Sequence, residues 1–380
     1  MLTRIFSEII FMSKMCDFDS IVIGGGMIGS SIAFGLAKQD EKVAMIDEGD
    51  NALRAARGNF GLIWVQGKGE KNSSYADWTL QSAKKWPRFN NELMALTKID
   101  IGFEQKGGFD FCLNQEEFDE RIILLKQIAE NSNEQFSYEM FNHEELAKKL
   151  PKIGPEVVGA SYSSWDGHVN PLLLLRSLHK GFQELGGKLL THSVSDIKYN
   201  DSYFSVQAKN SVINSNKVIL AAGFSNQNLA PKIGLKMSLF PQRGQILVTE
   251  KIKPFLDYPT GLIRQTNEGG LLLGDSHEDV GFDDGTNLQT MQQIAQRVTT
   301  IFPFLRDVKM IRAWGSLRIL TDDGLPIYDY SKTCPGAYTV SSHSGVTLAA
   351  IHALDIASYI VKDGKLPISL KCFSAERFND

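Results

Sequence analysis

Three glycines near the N-terminus constrain the fold of this chain more than any other feature. Gly24, Gly26 and Gly29 follow an apolar run at residues 19–23 and precede a small-residue and apolar stretch at residues 27–39. In this spacing the first glycine allows a tight turn, the second lets a pyrophosphate approach the backbone, and the third lets a helix pack on the strand. The helix N-terminus would offer free N–H groups to the phosphates. We therefore expect a strand, a glycine-rich turn and a helix that bind a dinucleotide.

The next apolar run supports this prediction. Residues 42–46 end in Asp47 and Glu48, and a carboxylate at this place can accept hydrogen bonds from ribose hydroxyls. Its negative charge disfavours the 2′-phosphate of NADP, whereas NAD and FAD both remain open. The cofactor-binding residues predicted in this segment are Gly24, Gly26, Met27, Ile28, Gly29, Asp47 and Glu48.

Composition excludes several other classes of protein. A length of 380 residues suggests more than one domain or one domain with an inserted lobe. The net charge of −4, with Lys and Arg spread along the chain, gives no support for nucleic-acid binding, and no apolar run is long enough to cross a bilayer. The four cysteines are far apart, which indicates neither disulfides nor a metal site and favours a cytoplasmic location. Residues 1–16 are expected to be an extension without a targeting role.

The hydrophobic pattern predicts an α/β fold, α+β overall, with parallel structure at both ends and antiparallel strands in the middle. Helices are predicted at 75–97, 115–150, 171–186, 286–301 and 346–361. Strands are predicted at 108–113, 188–197, 203–208, 217–221, 237–250, 260–266, 270–274 and 337–341. This order suggests a Rossmann-like nucleotide-binding domain, assembled from separated segments, with an inserted antiparallel-sheet substrate domain.

A series of short motifs follows the glycine turn. They are Ala221-Ala222-Gly223, Pro241-x-Arg243-Gly244-Gln245, Gly270-x-x-x-Gly274 with Glu278 and Gly281-Phe282, Trp314-Gly315-Ser316-Leu317-Arg318, Thr321-Asp322-Asp323-Gly324-Leu325-Pro326, Ser342-His343-Ser344-Gly345-Val346-Thr347-Leu348 and Phe373-x-x-x-Arg377-Phe378. In type and order they resemble the D-amino acid oxidase, glycine oxidase and sarcosine oxidase family of flavoproteins. The resemblance runs from Asp19 to about Phe378, nearly the whole chain.

The resemblance implies FAD and a discontinuous FAD-binding domain at 17–95, 155–232 and 311–365. The substrate-binding domain would comprise 96–154 and 233–310. The reaction implied is oxidation of an amino acid or amine: a hydride passes from the carbon next to nitrogen to flavin N5, and the resulting imine hydrolyses. A small amino-acid or amine substrate is therefore expected.

The resemblance also implies roles for individual residues. Arg318 matches the arginine that holds a substrate carboxylate, a task that suits a planar and permanently charged guanidinium. His343 lies in a turn that passes the flavin ring, and is predicted as catalytic together with Arg318. The further cofactor-binding residues predicted are Arg57, Asn59, Gly61, Ala222, Gly223, Gly345, Val346 and Thr347. The further substrate-binding residues predicted are Trp64, Gln66, Tyr258, Arg264 and His277.

Two departures from the family pattern affect the chemistry. Monomeric sarcosine oxidases carry a flavin-linking cysteine after the Arg318 position, but residues 318–326 contain none, so non-covalent FAD is expected. The oxygen-activating lysine of monomeric sarcosine oxidases corresponds to Leu272 here, which favours poor reaction with oxygen. Glycine oxidases lack the lysine too, so oxidase and dehydrogenase both remain open.

Three hypotheses follow. In the first, the chain is an oxidoreductase for a glycine-like, N-alkyl, D-amino or opine-type acid, and a homo-oligomer is compatible with this function. Alternatively it is the FAD subunit of a heteromeric dehydrogenase of opine or D-hydroxyproline type that passes electrons to a partner. The third hypothesis is a flavin-binding protein without catalysis.

Overall fold

A computed structural model describes residues 16–49, 55–56, 58–70, 72–362 and 366–378. The expected extension at residues 1–16 lies outside this range except for Cys16, and so does Arg57. In the described ranges, no helix combines the length and apolar character needed to cross a membrane.

Seventeen strands occur in the described part of the chain and are numbered in order. They are β1 (Phe18–Ile23), β2 (Val43–Asp47), β3 (Leu62–Ile63), β4 (Gly108–Cys112), β5 (Glu139–Asn142), β6 (Gly159–Ser163), β7 (Gly167–His168), β8 (Lys188–Thr191), β9 (Val194–Tyr199), β10 (Phe204–Ala208), β11 (Ser211–Leu220), β12 (Phe240–Thr249), β13 (Ile263–Gln265), β14 (Leu271–Leu273), β15 (Met310–Leu320), β16 (Ile327–Tyr330) and β17 (Ala337–Ser341).

The α-helices of the same ranges are α1 (Met27–Ala37), α2 (Ser73–Thr97), α3 (Gln115–Asn131), α4 (His143–Lys149), α5 (Pro171–Glu184), α6 (Asn226–Leu229), α7 (Leu288–Ile301), α8 (Ala349–Ile351) and α9 (Ala357–Lys362). A π-helical segment, His352–Ile356, joins α8 to α9. Short 3₁₀ turns occur at Gly223–Ser225, Ala230–Ile233, Pro303–Asp307, Ile368–Phe373 and Ala375–Phe378.

The largest sheet has eight strands and carries the glycine turn. Its order is β16-β17-β11-β1-β2-β8, with β10 paired to β11 and β9 paired to β10. The central neighbours β17, β11, β1, β2 and β8 run parallel. Ile21, Val22 and Met45 are fully buried, because a parallel sheet is covered on both faces. The predicted Rossmann-like sheet is therefore confirmed.

Antiparallel sheets form the other part of the molecule. One has the order β13-β14-β12-β15, a second β4-β6-β5, and β3 pairs with β7. The predicted α/β fold class with an antiparallel part is confirmed. Two strands that fall in the segments predicted for FAD binding, β6 and β15, pair with strands of the substrate-side sheets. The domain boundaries remain a prediction.

The prediction of one helix over 115–150 is wrong. Helix α3 ends at Asn131, and Asp77 accepts hydrogen bonds from the backbone N–H groups of Asn133 and Glu134 in the turn that follows. Strand β5 then pairs with β6 before α4 begins. Asn142 and Glu145 form a reciprocal capping box at the start of α4. That spacing was a signal in the sequence for a new helix.

The last predicted helix, at 346–361, begins three residues later and is interrupted by the π-helical segment. A Cβ added to Gly35 of α1 would lie 2.1 Å from the carbonyl oxygen of Ala353. The glycine therefore lets α1 cross this segment in backbone contact, which fixes the last helix against the nucleotide side of the sheet.

Candidate functional site

The turn between β1 and α1 has the geometry that phosphate binding requires. Gly24 has a φ of 106°, and a Cβ on Gly29 would lie 1.9 Å from the carbonyl oxygen of Gly24. A Cβ on Gly26 would meet only the Cβ of Ala56, at 4.0 Å, so the space in front of Gly26 is open to a ligand. Helix α1 begins there without a side-chain cap or an acidic residue in its first turn. Its first N–H groups can therefore bind an anion.

Polar side chains hold this turn in position. Asp47 accepts hydrogen bonds from the N–H groups of Gly25, at 2.6 Å, and Gly49, at 2.9 Å. His179 Nε2 on α5 lies 2.9 Å from the carbonyl oxygen of Gly25. The sequence analysis did not identify His179, since 154 residues separate it from the turn. Its position comes from the packing of α5 against α1.

A cavity of about 150 Å³ lies in front of the glycine turn. It contains most of the cofactor-binding residues predicted from the first strands, as well as residues from three later segments. The predicted residues that line it are Gly24, Gly26, Met27, Ile28, Asp47, Glu48, Asn59, Ala222, Gly223, His343 and Gly345. Gly29 lies beneath this surface, where it forms the contact with Gly24.

A second cavity, of about 690 Å³, adjoins the first, and the two share Ala55, Asn59, Ile319, Ser342 and His343 in their walls. The predicted residues that line the larger cavity are Asn59, Trp64, Gln66, His277, Arg318, His343, Val346 and Thr347. The shared wall makes one elongated site, whose smaller part contains the phosphate turn and whose larger part contains the predicted substrate residues.

The turn before α8 presents backbone donors where the two cavities meet. The N–H groups of Gly345, Val346 and Thr347 have no acceptor among the described residues. The Thr347 side chain accepts a hydrogen bond from the Trp64 N–H at 3.1 Å, and the Thr347 carbonyl accepts from Trp86 Nε1 at 3.0 Å. These contacts fix the turn, so its free N–H groups are suited to an electron-rich edge of a ligand.

Gly61 has a structural role in the neighbouring loop. Its φ is 91°, and a Cβ there would lie 2.3 Å from the carbonyl oxygen of Val169. Gly61 lines neither cavity. The loop is thus packed on the backbone before α5, and Asn59 is its residue that reaches both cavities.

Arg318 lies in the wall of the larger cavity and is held by several acceptors. It forms an ion pair with Asp275 and donates to the carbonyl oxygen of Ser276 at 2.5 Å. A Cβ on Gly244 of β12 would lie 2.5 Å from the guanidinium. The glycine in the Arg243-Gly244-Gln245 motif therefore makes room for Arg318 on the paired strand β15. Asp275 thus fixes the orientation of the guanidinium in the cavity wall.

The two predicted histidines differ in their surroundings. His343 lines both cavities, and its side chain is exposed to them. Burial, reinforced by the charges of Lys68 and Arg318, holds the pKa of His343 well below its usual value. Its imidazole is consequently neutral at pH 7. His277 is exposed, and its ring contacts Asp275 and Gln242, each at 2.9 Å.

Gln66 belongs both to the wall of the larger cavity and to a buried hydrogen-bond network. The Gln66 amide is buried and donates to Asp166 at 2.6 Å, while its oxygen accepts from Ser161 at 2.5 Å. Burial raises the pKa of Asp166 to about 7, although hydrogen bonds from Val65 and Gln66 favour its ionised form. Gln66 thus lies in a structural network as well as in the cavity wall.

Tyr258 and Arg264 are not brought to either cavity. Tyr258 packs edge-on against Phe109, with ring centroids 5.2 Å apart. Arg264 is buried and donates to the carbonyl oxygen of Phe60 at 2.8 Å, and burial lowers its pKa to about 10. The hydrogen bond from Arg264 to the Phe60 carbonyl oxygen stabilises the loop that carries Asn59.

Five charged residues in the wall of the larger cavity were not singled out from the sequence. They are Lys68, Asp110, Arg121, Arg297 and Asp275. They come from separated segments and belong to none of the motifs, so no local pattern indicated them. Asp110 lies on β4, which pairs with β6, and Asp275 follows β14 in the sheet that contains β12 and β15. Arg121 and Arg297 lie on α3 and α7, so the tertiary fold brings these segments to one cavity.

These features fit the FAD implied by the resemblance. The open space at Gly26 fits a pyrophosphate, Asp47 and Glu48 lie where ribose hydroxyls are expected, and the free N–H groups at residues 345–347 fit the flavin pyrimidine. Bound FAD would supply an acceptor for a hydride. The charged wall of the larger cavity would then face the reacting end of the cofactor.

Comparisons with known proteins agree with this site. A sequence model of the DAO family, described as FAD dependent oxidoreductase, matches residues 19–359. An opine oxidase subunit from Agrobacterium tumefaciens (strain Ach5) is 40% identical over 371 residues, which cover 96% of this chain and 99% of that protein. Glycine oxidase from Bacillus subtilis (strain 168) is 24% identical over 314 residues, which cover 81% and 83%.

Among solved structures, glycine oxidase from Geobacillus kaustophilus has a TM-score of 0.85 at 22% identity and covers 94% of this chain and 98% of its own. This likeness shows that the fold is shared.

Proposed function

Because the chain belongs to the DAO family of FAD-dependent oxidoreductases, we propose that it oxidises an opine-type amino acid as the FAD-bearing subunit of a multi-subunit enzyme. Opine-type acids are secondary amines with a carboxylate on each side of the nitrogen. The family predicted from the motifs is confirmed, and so is the general function of FAD-dependent amino-acid or amine oxidation. Opine specificity, the partner subunit and the roles of individual residues are the proposal.

One observation carries the proposal: a large cavity with cationic walls adjoins the dinucleotide turn, in a chain that aligns end to end with a subunit of opine oxidase. Arg318 holds one substrate carboxylate in its forked guanidinium. Neutral His343 can accept a proton or a hydrogen bond from the amine. Bound FAD would supply, at N5, the acceptor for the hydride lost from the carbon next to nitrogen.

Three finer points belong to the same proposal. FAD binds non-covalently, which is supported by the lack of a cysteine among the described residues that line the two cavities. The protein is cytoplasmic, which is supported by the four free cysteines. A partner chain receives the electrons, which is supported by the two opine oxidase relatives, since each is named as one subunit of its enzyme.

The test follows the visible flavin band of the purified protein under anaerobic conditions. An N-(1-carboxyethyl) amino acid is expected to bleach the band, while glycine and D-alanine bleach it at least about 10-fold more slowly, a difference that one unpaired polar contact can produce. Readmitted air is expected to restore the colour slowly in the isolated chain and rapidly when the partner is co-expressed. Bleaching by glycine alone would refute the opine assignment, and fast reoxidation of the isolated chain would refute the need for a partner.

A further inference from the structure

The larger cavity has a charge opposite to that of the whole chain. Its lining contains four basic side chains, Lys68, Arg121, Arg297 and Arg318, among the described residues. The described carboxylates in that lining are Asp110 and Asp275, whereas the chain as a whole has a net charge of −4. A cationic cavity in an acidic protein attracts anionic ligands.

Three of these cations are ion-paired within the protein. Arg121 contacts Asp110 at 2.9 Å, Arg297 contacts Glu117 at 2.8 Å, and Arg318 contacts Asp275. The ammonium of Lys68 has no ion pair and no hydrogen-bond acceptor among the described residues. Lys68 is therefore the cation in this lining whose charge is left for a ligand.

Lys68 is held in place by its backbone. Its N–H donates to the carbonyl oxygen of Val65 at 3.1 Å. Gly69 has a φ of 87°, and a Cβ there would lie 2.4 Å from the backbone nitrogen of Ala76 in α2. The turn is thus packed against the helix, so the Lys68 side chain starts from a fixed point in the cavity wall.

The surroundings of Lys68 are unfavourable to an unpaired charge. Burial lowers its pKa to about 8; the carboxyl groups of Asp275 and Asp166 oppose this change, and Arg318 adds to it. Lys68 lines the same cavity as Arg318 and His343, and its charge is near enough to lower the pKa of His343. The Lys68 side chain is half-buried. An unpaired ammonium that is partly removed from water is costly, and an anion from the substrate would compensate that cost.

We propose that Lys68 binds the second carboxylate of the substrate, beside the carboxylate held by Arg318, and so selects dicarboxylic secondary amines. This inference rests on the proposed function and deepens it. A monocarboxylic amine would leave the ammonium unpaired, and the loss on binding such a ligand gives the discrimination.

Binding of unreactive anions tests Lys68 without turnover. Diglycolate has two carboxylates joined through an ether, and methoxyacetate has one carboxylate in the same skeleton. Dissociation constants are measured on FAD-loaded protein from perturbation of the flavin absorption band. The wild type is expected to bind diglycolate about 10- to 100-fold more tightly, the range of a charge-assisted contact. Lys68→Met removes that preference and changes methoxyacetate binding less than about 3-fold, and Lys68→Arg retains it.

Lys126→Met is the matched control, because Lys126 is exposed on α3 and pairs only with Glu130 at 3.8 Å among the described residues. It is expected to keep the wild-type preference. Equal weakening of both anions in Lys68→Met, or no weakening of either, would overturn the proposal.

A pH series on unmutated protein covers the case in which Lys68→Met does not retain FAD. Diglycolate affinity is expected to fall as pH rises through about 8, when the ammonium of Lys68 loses its proton. Asp275 is already ionised and His343 is already neutral in that pH range. Asp166, with a pKa of about 7, becomes negatively charged over the lower part of this pH range and adds a smaller decrease in diglycolate affinity. The same smaller decrease is expected in Lys68→Arg. A wild-type profile identical to that of Lys68→Arg would refute the role of Lys68.

The outcomes separate this inference from the proposed function. If the Lys68-dependent preference for diglycolate is found but no opine-type amine bleaches the flavin, the anion site is correct and the substrate assignment is wrong. If opine-type amines are oxidised and Lys68→Met keeps the diglycolate preference, the substrate assignment is correct and the role of Lys68 in anion binding is wrong.

Discussion

The two adjoining cavities are built in different ways. The smaller one is formed mainly by backbone: a glycine turn, the first N–H groups of α1 and the Ala222-Gly223 turn. The larger one is formed by charged side chains, among them Lys68, Arg121 and Arg318, from segments far apart in sequence. The difference teaches that the nucleotide end depends on local geometry, which a motif can encode. The substrate end depends on long-range pairing of strands.

The largest expected effects concern the glycine turn and test whether its glycines have separate roles. In Gly29→Ala the new Cβ would clash with the Gly24 carbonyl oxygen at 1.9 Å. We therefore expect the free energy of unfolding to fall by about 3 kcal/mol and FAD binding to be lost. In Gly26→Ala the Cβ meets no close protein atom. That variant is expected to fold normally and bind FAD about 100-fold more weakly.

Thermal unfolding of the apoproteins and FAD titration distinguish the two variants. If Gly26→Ala destabilises the apoprotein as much as Gly29→Ala does, the open space in front of Gly26 has no special role in cofactor binding. If both variants bind FAD normally, the glycine turn is not the phosphate site.

The next effect concerns the substrate end. Arg318→Ala is expected to raise KM for a carboxylated amine about 100-fold, because a charge-assisted pair of this kind contributes about 2–5 kcal/mol. FAD affinity should stay unchanged, since Arg318 lines the larger cavity and not the smaller one. Steady-state kinetics and FAD titration provide the two measurements.

Removal of Arg318 also leaves Asp275 without its partner, so the single variant confounds two effects. The double variant Arg318→Ala, Asp275→Asn removes the unpaired carboxylate and serves as the control. The KM of the double variant is expected to remain high. Recovery of the wild-type KM would mean that Arg318 acts only by neutralising Asp275.

The smallest expected effect concerns the network that shapes the loop beside Arg318. Glu278 accepts hydrogen bonds from Arg243 at 2.8 Å, from Gln245 at 2.9 Å and from Asn287 at 2.7 Å. Burial opposes its ionisation, but these donors lower the pKa of Glu278 to about 2. Glu278→Gln is expected to lower Tm at pH 7 by about 4 °C, through the loss of one charge-assisted hydrogen bond.

The pH dependence gives the sign of this effect. A folded-state pKa below the ordinary value means that the ionised carboxylate stabilises the fold above about pH 4.5, and that this stabilisation disappears as pH falls toward 2. The Tm difference between wild type and Glu278→Gln should therefore shrink over that range. The exposed pair of Lys332 with Glu376 provides a control, since Glu376→Gln should change Tm very little. A constant difference at all pH values would contradict the role of the Glu278 charge.

Much of the nucleotide end was predictable because each motif carries its own geometry. The three roles assigned to Gly24, Gly26 and Gly29 agree with a positive φ, an open approach and a backbone contact. The single helix predicted over 115–150 was wrong because periodicity was weighed above the capping box at Asn142. Tyr258 and Arg264 were placed near the substrate by resemblance, but aromatic packing and a backbone hydrogen bond hold them elsewhere.

The sequence by itself determined the dinucleotide turn, the family and the presence of an arginine suited to a carboxylate, because each depends on residues close together in the chain or on motifs in a fixed order. Only the tertiary structure decided which charges meet around Arg318. Asp275 is brought to it by the loop after β14, and Lys68 by a turn packed on α2. Whether a charge in the cavity wall is paired depends on contacts between separated segments, such as Arg318 with Asp275 across 43 residues and Arg297 with Glu117 across 180. In the described part of the chain these contacts leave the ammonium of Lys68 unpaired.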